Sequence, residues 1–179
     1  GRLSRDSEWM REIGILDENR ADELRGPATR QQRGQMLVFS RWAMVMRGFE
    51  QELYRDPDQD LNALWWSLVE RYQGLRAPER PAGAADFAAK IHVVSAPVYY
   101  HNYLLGECFA SQIDERLRAE VLDGRATYCG ESAVGSWLVN RIFQPGALMH
   151  YDELAEAATG SRVGPEAFAT QFLSAVAGT

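Results

Sequence analysis

Met36, Phe39, Ala43, Met46, Phe49 and Leu53 recur at intervals of three and four residues, the spacing that lays a single apolar stripe along an α-helix and that the two-residue period of a strand does not accommodate. A stripe of that kind has to be covered, so a chain built on it folds by packing helix against helix over a shared core. Few β-branched runs alternate with period two, whereas helical spacing recurs along the sequence. The fold class that follows is all-α, a multi-helix bundle. The most apolar window, Met36 to Met46, contains Arg41 and falls well short of the roughly 20 apolar residues needed to cross a bilayer. It is expected to be a buried helix rather than a membrane segment.

Punctuating residues divide the chain. Ser7 is placed to cap a first helix over about residues 8–12, with Gly14 near its end. Gly26-Pro27 is expected to break the pattern before a long helix that runs to about Arg55 and stops at Asp56-Pro57. Asp58 or Asp60 opens a helix through DLNALWWSLVERYQG that Gly74 closes. Residues 76–85, RAPERPAGAA, read as an exposed connection rather than a domain linker, because the helices on both sides need covering. Residues 1–179 are accordingly read as a single helical domain or a fragment of one. Further helices are expected from about Pro97 to Leu122, ended by Asp123-Gly124, and from about Ser132 to Phe143, ended by Gln144-Pro145-Gly146. YDELAEAATG and GPEAFATQFLSAV supply two more, with Gly160 and Pro165 as stop and start signals.

The charge balance narrows the partners. A formal net charge of -6 gives no electrostatic reason to expect nucleic acid or an anionic membrane. The 2 cysteines, Cys108 and Cys129, form no CxxC, so neither a disulfide scaffold nor a cysteine zinc site is indicated, and whether the two pair stays open. The 3 histidines, His92, His101 and His150, are scattered. There is no HExxH, no glycine-rich phosphate loop and no GxSxG elbow, so the chain carries no complete metal site of the usual kind.

The residues with chemistry to offer cluster in AAKIHVVSAPVYYHNYLLGECFASQI, residues 88–113. On a helix, Tyr100, Tyr103 and Glu107 share one sector with Tyr99 and Ala110 at its margin, while Leu105, Cys108, Phe109 and Ile113 face the other way. Two phenols one turn apart can present neutral donors to a carbonyl oxygen that becomes negatively charged. They can equally be amphipathic core residues with hydroxyls tied to backbone carbonyls. Lys90 and His92 face the same way only in extended backbone, which the β-branched KIHVV permits. A cation beside an imidazole donor suits a carboxylate and an amide oxygen; a solvated lysine next to a hydrogen-bonded histidine is the plainer reading.

NALWWSLVERYQGL (62–75) followed by AAKIHVVSAPVYY (88–100) resembles the angiotensin-converting-enzyme (peptidyl-dipeptidase A) family of zinc metallopeptidases, where a double-tryptophan helix ending in Tyr-Gln-Gly-Leu precedes an Ala-Lys-x-His segment and a Tyr-x-x-Tyr helix. MREIGILDE (10–18) is similar to the stretch that follows that family's zinc-binding region, and ELAEAATGSRVGPEAFATQF to its C-terminal Thr-Gly helix pair. YHNYLLGECFASQ is also similar to the tyrosine helix of the thimet oligopeptidase and oligoendopeptidase F relatives. The resemblance implies the C-terminal part of a helical, cleft-containing zinc-peptidase catalytic domain. Its zinc, held by HExxH and a glutamate, would lie upstream of residues 10–18. This chain alone would then bind no metal and hydrolyse nothing, its partners being a peptide substrate and the N-terminal remainder of the same enzyme.

Carried over by position, the resemblance makes Lys90 the ligand of the substrate's terminal carboxylate and His92 the donor to a substrate carbonyl. Tyr100 and Tyr103 match the Tyr-x-x-Tyr pair, with Tyr103 as the residue that stabilises the oxyanion. The interval from His92 to Tyr100 is one residue longer than in the converting enzymes, so the first tyrosine's place falls to Tyr99 or Tyr100. Asn102 stands where those enzymes carry a chloride-binding arginine, so chloride activation is not implied. The Lys-x-His element implies release of short C-terminal peptides and the oligopeptidase-like helix implies internal cleavage; both stay open. The alternative is a non-catalytic helical peptide-binding or scaffold module derived from such a peptidase.

Overall fold

The computed structural model describes residues 6–125 and 127–173. Every regular element among them is helical, as the apolar spacing requires. The α-helices are α1 (Ser7–Glu12), α2 (Glu18–Arg55), α3 (Leu61–Gln73), α4 (Ile91–Val94), α5 (His101–Glu120), α6 (Ser132–Leu138), α7 (Tyr151–Thr159) and α8 (Glu166–Phe168). A 3₁₀ turn at Asp86–Ala89 precedes α4, and π-helical turns at Val139–Phe143 and Ala169–Leu173 continue α6 and α8. The chain forms two compact units, residues 36–106 and residues 1–35 with 107–179.

In the unit of residues 36–106, the apolar stripe of α2 packs on α3. Val45, Met46, Phe49, Trp65 and Val69 form its buried centre, and each large side chain removed from water there contributes about 1.5–3 kcal/mol. Trp65 meets Phe49 edge-on at 5.2 Å and Trp42 at 5.6 Å. The turn between the helices is tied by the Gln59 amide, which donates to the carbonyls of Glu52 (3.0 Å) and Asp56 (2.8 Å). Asp60, rather than Asp58, caps α3, accepting from the Ala63 N–H at 2.9 Å, and Gly74 closes it at φ 69°, a conformation that glycine adopts without steric cost. The exposed connection that follows ends at Asp86. That residue is fixed to α3 from both sides: the Trp66 indole donates to its carboxylate at 2.8 Å, and its own N–H donates to the Asn62 side chain at 2.9 Å. Phe87 then lies against Phe49 at 5.0 Å.

The unit of residues 1–35 with 107–179 has its own core of Leu117, Leu122, Val134, Trp137 and Ala158. The Trp137 indole donates to Glu120 at 2.9 Å, and the buried Gln112 amide donates to Ser161 (2.8 Å) and the Arg162 carbonyl (3.0 Å). A left-handed pair, Asp123 (φ 42°) and Gly124 (φ 82°), follows α5 as the Asp-Gly signal required. His150 caps α7 in a reciprocal arrangement with Glu153. Cys108 is buried, Cys129 is half-buried, and no disulfide joins them. The helix expected over GPEAFATQFLSAV is present as α8 and its π turn, and residues 174–176 of that expectation lie outside the described residues.

Two local features differ from expectation. Asp6, not Ser7, caps α1, accepting from the N–H groups of Glu8 (2.9 Å) and Trp9 (3.3 Å). Pro27 lies inside α2 instead of breaking it. The residue before a proline is normally driven out of the helical region by its Cβ, and Gly26 has none. The missing N–H then removes one bond from a helix of 38 residues, which the rest of the helix outweighs.

Candidate functional site

Lys90, His92, Tyr99, Tyr100 and Tyr103 all belong to the unit of residues 36–106. Lys90 has extended backbone, at φ -93° and ψ 110°, but residues 91–94 make one helical turn, not the extended segment that β-branching permitted. A lone strand would leave its N–H and C=O groups without partners, whereas the turn satisfies them locally, through Val93 to Lys90 (2.9 Å) and Ser95 to Ile91 (2.7 Å). The helix expected from Pro97 begins only at His101. Val98 has φ 54°, a left-handed conformation that interrupts helical geometry and is a genuine outlier for a β-branched residue. Tyr99 and Tyr100 therefore lie in the turn ahead of α5 and Tyr103 in its first turn.

These departures do not scatter the side chains. His92 stands at the centre of three tyrosines, with ring centroids 4.9 Å from Tyr100, 5.5 Å from Tyr103 and 6.5 Å from Tyr99. Its Nε2 is 3.2 Å from the Tyr103 hydroxyl. The phenol rings also meet one another, Tyr99 to Tyr103 at 5.4 Å and Tyr100 to Tyr103 at 5.3 Å. Tyr99 (48 % exposed) and Tyr103 (43 %) face solvent, while Tyr100 is half-buried against the α2–α3 core. Burial raises the Tyr100 pKa above the ordinary phenol value, opposed by a hydrogen bond from the Trp42 indole and reinforced by the neighbouring Tyr103. Tyr100 thus stays a neutral phenol at any physiological pH.

The tautomer of His92 decides what Tyr103 can do. When Nε2 carries a proton it donates to the phenol oxygen, and the Tyr103 O–H remains free for an incoming acceptor. With Nε2 unprotonated, the phenol proton is spent on the imidazole. The first arrangement makes the pair a donor surface for a carbonyl or carboxylate oxygen.

Lys90 sits to one side. Its Nζ lies over the rings of Trp42 at 5.3 Å and Trp65 at 6.0 Å, distances at which an indole face attracts a cation. Trp42 packs against the same α2–α3 core as Tyr100. No salt bridge neutralises the Lys90 ammonium among the described residues.

Three residues of this region were missed in the sequence. Trp42 is far from Lys90 along the chain, and it falls inside the apolar window Met36 to Met46, which read only as a buried helix. Asp86 fixes the 3₁₀ turn that delivers Lys90, and the Trp66 indole, followed by Arg80, holds its carboxyl below the usual carboxylate range against the effect of burial. Glu50 is buried on α2 beside Phe49; a carboxylate four positions from Met46 on an otherwise apolar face was the available signal.

Among the described residues, no three His, Cys, Asp or Glu side chains come together to hold a metal ion. The zinc implied by the resemblance has no ligand set there. No helix among the described residues is long and apolar enough to cross a membrane.

Comparison with known proteins returns a family model described as carboxypeptidase Taq (M32) metallopeptidase, matching residues 39–175 and so all five residues above. No curated protein matches the chain, and no solved structure does. The metallopeptidase class agrees with the resemblance of residues 62–113, whereas the narrower likeness to peptidyl-dipeptidase A and thimet oligopeptidase is not what the comparison returns.

Proposed function

This chain belongs to the carboxypeptidase Taq (M32) family of metallopeptidases, and from that premise we propose that residues 90–103 receive the carboxyl end of a peptide in a zinc-dependent peptidase. The observation that carries the reading is the pairing of His92 Nε2 with the Tyr103 hydroxyl at 3.2 Å, inside a ring of tyrosines of which Tyr99 and Tyr103 face solvent. A carboxypeptidase acts at the end of a chain, and the mark of that end is a free α-carboxylate. Lys90 supplies the cation for it, held in place by the faces of Trp42 and Trp65. His92 and Tyr99 border the same surface, and the hydroxyls of Tyr103 and Tyr100 are the neutral donors for a peptide oxygen that gains negative charge. Such donors act by being positioned before the charge develops, and removing one typically lowers turnover about 10²–10³-fold.

The experiment uses the 179-residue chain and a pair of short peptides that differ only in a free carboxylate or a carboxamide at the C-terminus. Titration calorimetry, with the His92 imidazole followed by NMR, should find binding of the acid, weaker binding of the amide, and loss of the difference in Lys90→Met. Equal binding of acid and amide would reject the carboxylate-receiving role. Binding of the acid by this chain, with no hydrolysis in any metal-loaded enzyme containing it, would instead favour a peptide-binding module without chemistry.

A further inference from the structure

Glu50 is the one charged residue that is buried among the described residues, with 8 % of its surface exposed. An ionised carboxylate leaves water at high cost unless hydrogen bonds replace its hydration. Here the carboxylate accepts from the Tyr54 hydroxyl at 3.3 Å and from the backbone N–H of Val98. Val98 is the residue with φ 54°, and its side chain is 61 % exposed, so packing of that side chain does not hold the backbone in its left-handed conformation. A strained residue persists only where its surroundings over-determine it. At Val98 the constraint is the bond to Glu50.

The strained residue also occupies a particular place. It lies between α4, which carries His92, and α5, and it immediately precedes Tyr99 and Tyr100. Released to the extended or right-handed region, it would redirect the backbone at that point and carry the tyrosines off the imidazole. We propose that Glu50 is a positioning residue: by clamping Val98 it sets the turn that gathers Tyr99, Tyr100 and Tyr103 around His92. The assignment rests on the peptide-receiving reading for its significance but not for its geometry.

The test uses the 179-residue chain with NMR contacts between the rings of His92 and Tyr103 as the first readout and affinity for a peptide with a free C-terminal carboxylate as the second. Glu50→Leu removes both acceptors at similar volume, and should abolish the His92–Tyr103 contacts while those between Trp42 and Trp65 stay; affinity should fall about tenfold. Glu50→Gln keeps an acceptor oxygen and should retain the contacts. Adding Val98→Gly to Glu50→Leu should restore them, with affinity to within about threefold, because glycine adopts positive φ without the strain. A Glu50→Leu chain that fails to fold but folds once Val98→Gly is added supports the same assignment. Intact contacts in Glu50→Leu, lost contacts in Glu50→Gln, or no rescue by Val98→Gly would overturn it. Absence of peptide binding in the wild-type chain would remove the proposed function and leave the ring contacts to decide the role of Glu50.

Discussion

Phe49→Ala should be among the most damaging substitutions in the unit of residues 36–106, and its effect can be worked from the packing. The ring is fully buried, edge-on to Trp65 at 5.2 Å and inclined to Phe87 at 5.0 Å. Truncation removes the transfer free energy of the ring and leaves a cavity, which together cost about 3–5 kcal/mol for a core phenylalanine. The two aromatic contacts account for about 0.5–1.5 kcal/mol each of that loss. Against a total stability of about 5–15 kcal/mol for an ordinary domain, that loss removes from about one-fifth to all of the folding free energy. Urea titration followed by tryptophan fluorescence and circular dichroism measures it, with the expected outcome a lower midpoint at unchanged slope. Phe49→Leu leaves less empty volume and should fall between the two. Because Phe87 leads into Lys90, the His92–Tyr103 contact should weaken in the alanine variant before the helices themselves melt. A loss below about 1 kcal/mol would refute the argument that this ring joins α2, α3 and the 3₁₀ turn into one core.

The Trp66 indole and Arg80 depress the Asp86 carboxyl, so its stabilising contribution is present above the ordinary carboxylate value of about 4 and is lost as pH falls below that through the lowered value; Asp86→Asn should lose this part of the acid dependence in urea titrations. Asp60→Ala removes the cap of α3 and should cost about 1 kcal/mol by the same assay, with Asp60→Ser close to wild type. A hydrogen bond to Glu12, then burial, then the Glu12 charge push the Cys129 thiol pKa up; alkylation near neutral pH should be slower than that of free cysteine and should accelerate in Glu12→Ala.

Where neighbours in sequence decide the outcome, the residues foretold the structure. The stripe of α2, the stop at Asp56-Pro57, and the glycines that close α3 and α7 at φ 69° and 88° were all legible, because spacing and backbone freedom are properties of short stretches. Pro27 misled because the tolerance of a helix for proline depends on its neighbour, here Gly26, and on the stability of the helix around it. The segment KIHVV misled because β-propensity needs a partner strand, and none exists among the described residues. The left-handed Val98 and the tryptophan faces beneath Lys90 were not legible at all. Each is set by a contact between residues far apart along the chain, Glu50 with Val98 and Trp42 with Lys90, which no local pattern encodes. The peptidase class was readable from the double tryptophan, Lys-x-His and Tyr-x-x-Tyr order, while the choice between neighbouring families was not.

The most direct measurement of the central claim is steady-state turnover of Tyr103→Phe in an active, metal-loaded enzyme containing this chain, with wild-type protein in parallel. A donor that serves the developing oxyanion makes its interaction in the transition state, so kcat should fall about 10²–10³-fold while KM changes little. A kcat equal to that of wild type would contradict the account, leaving the Tyr103 hydroxyl a partner of His92 and nothing more.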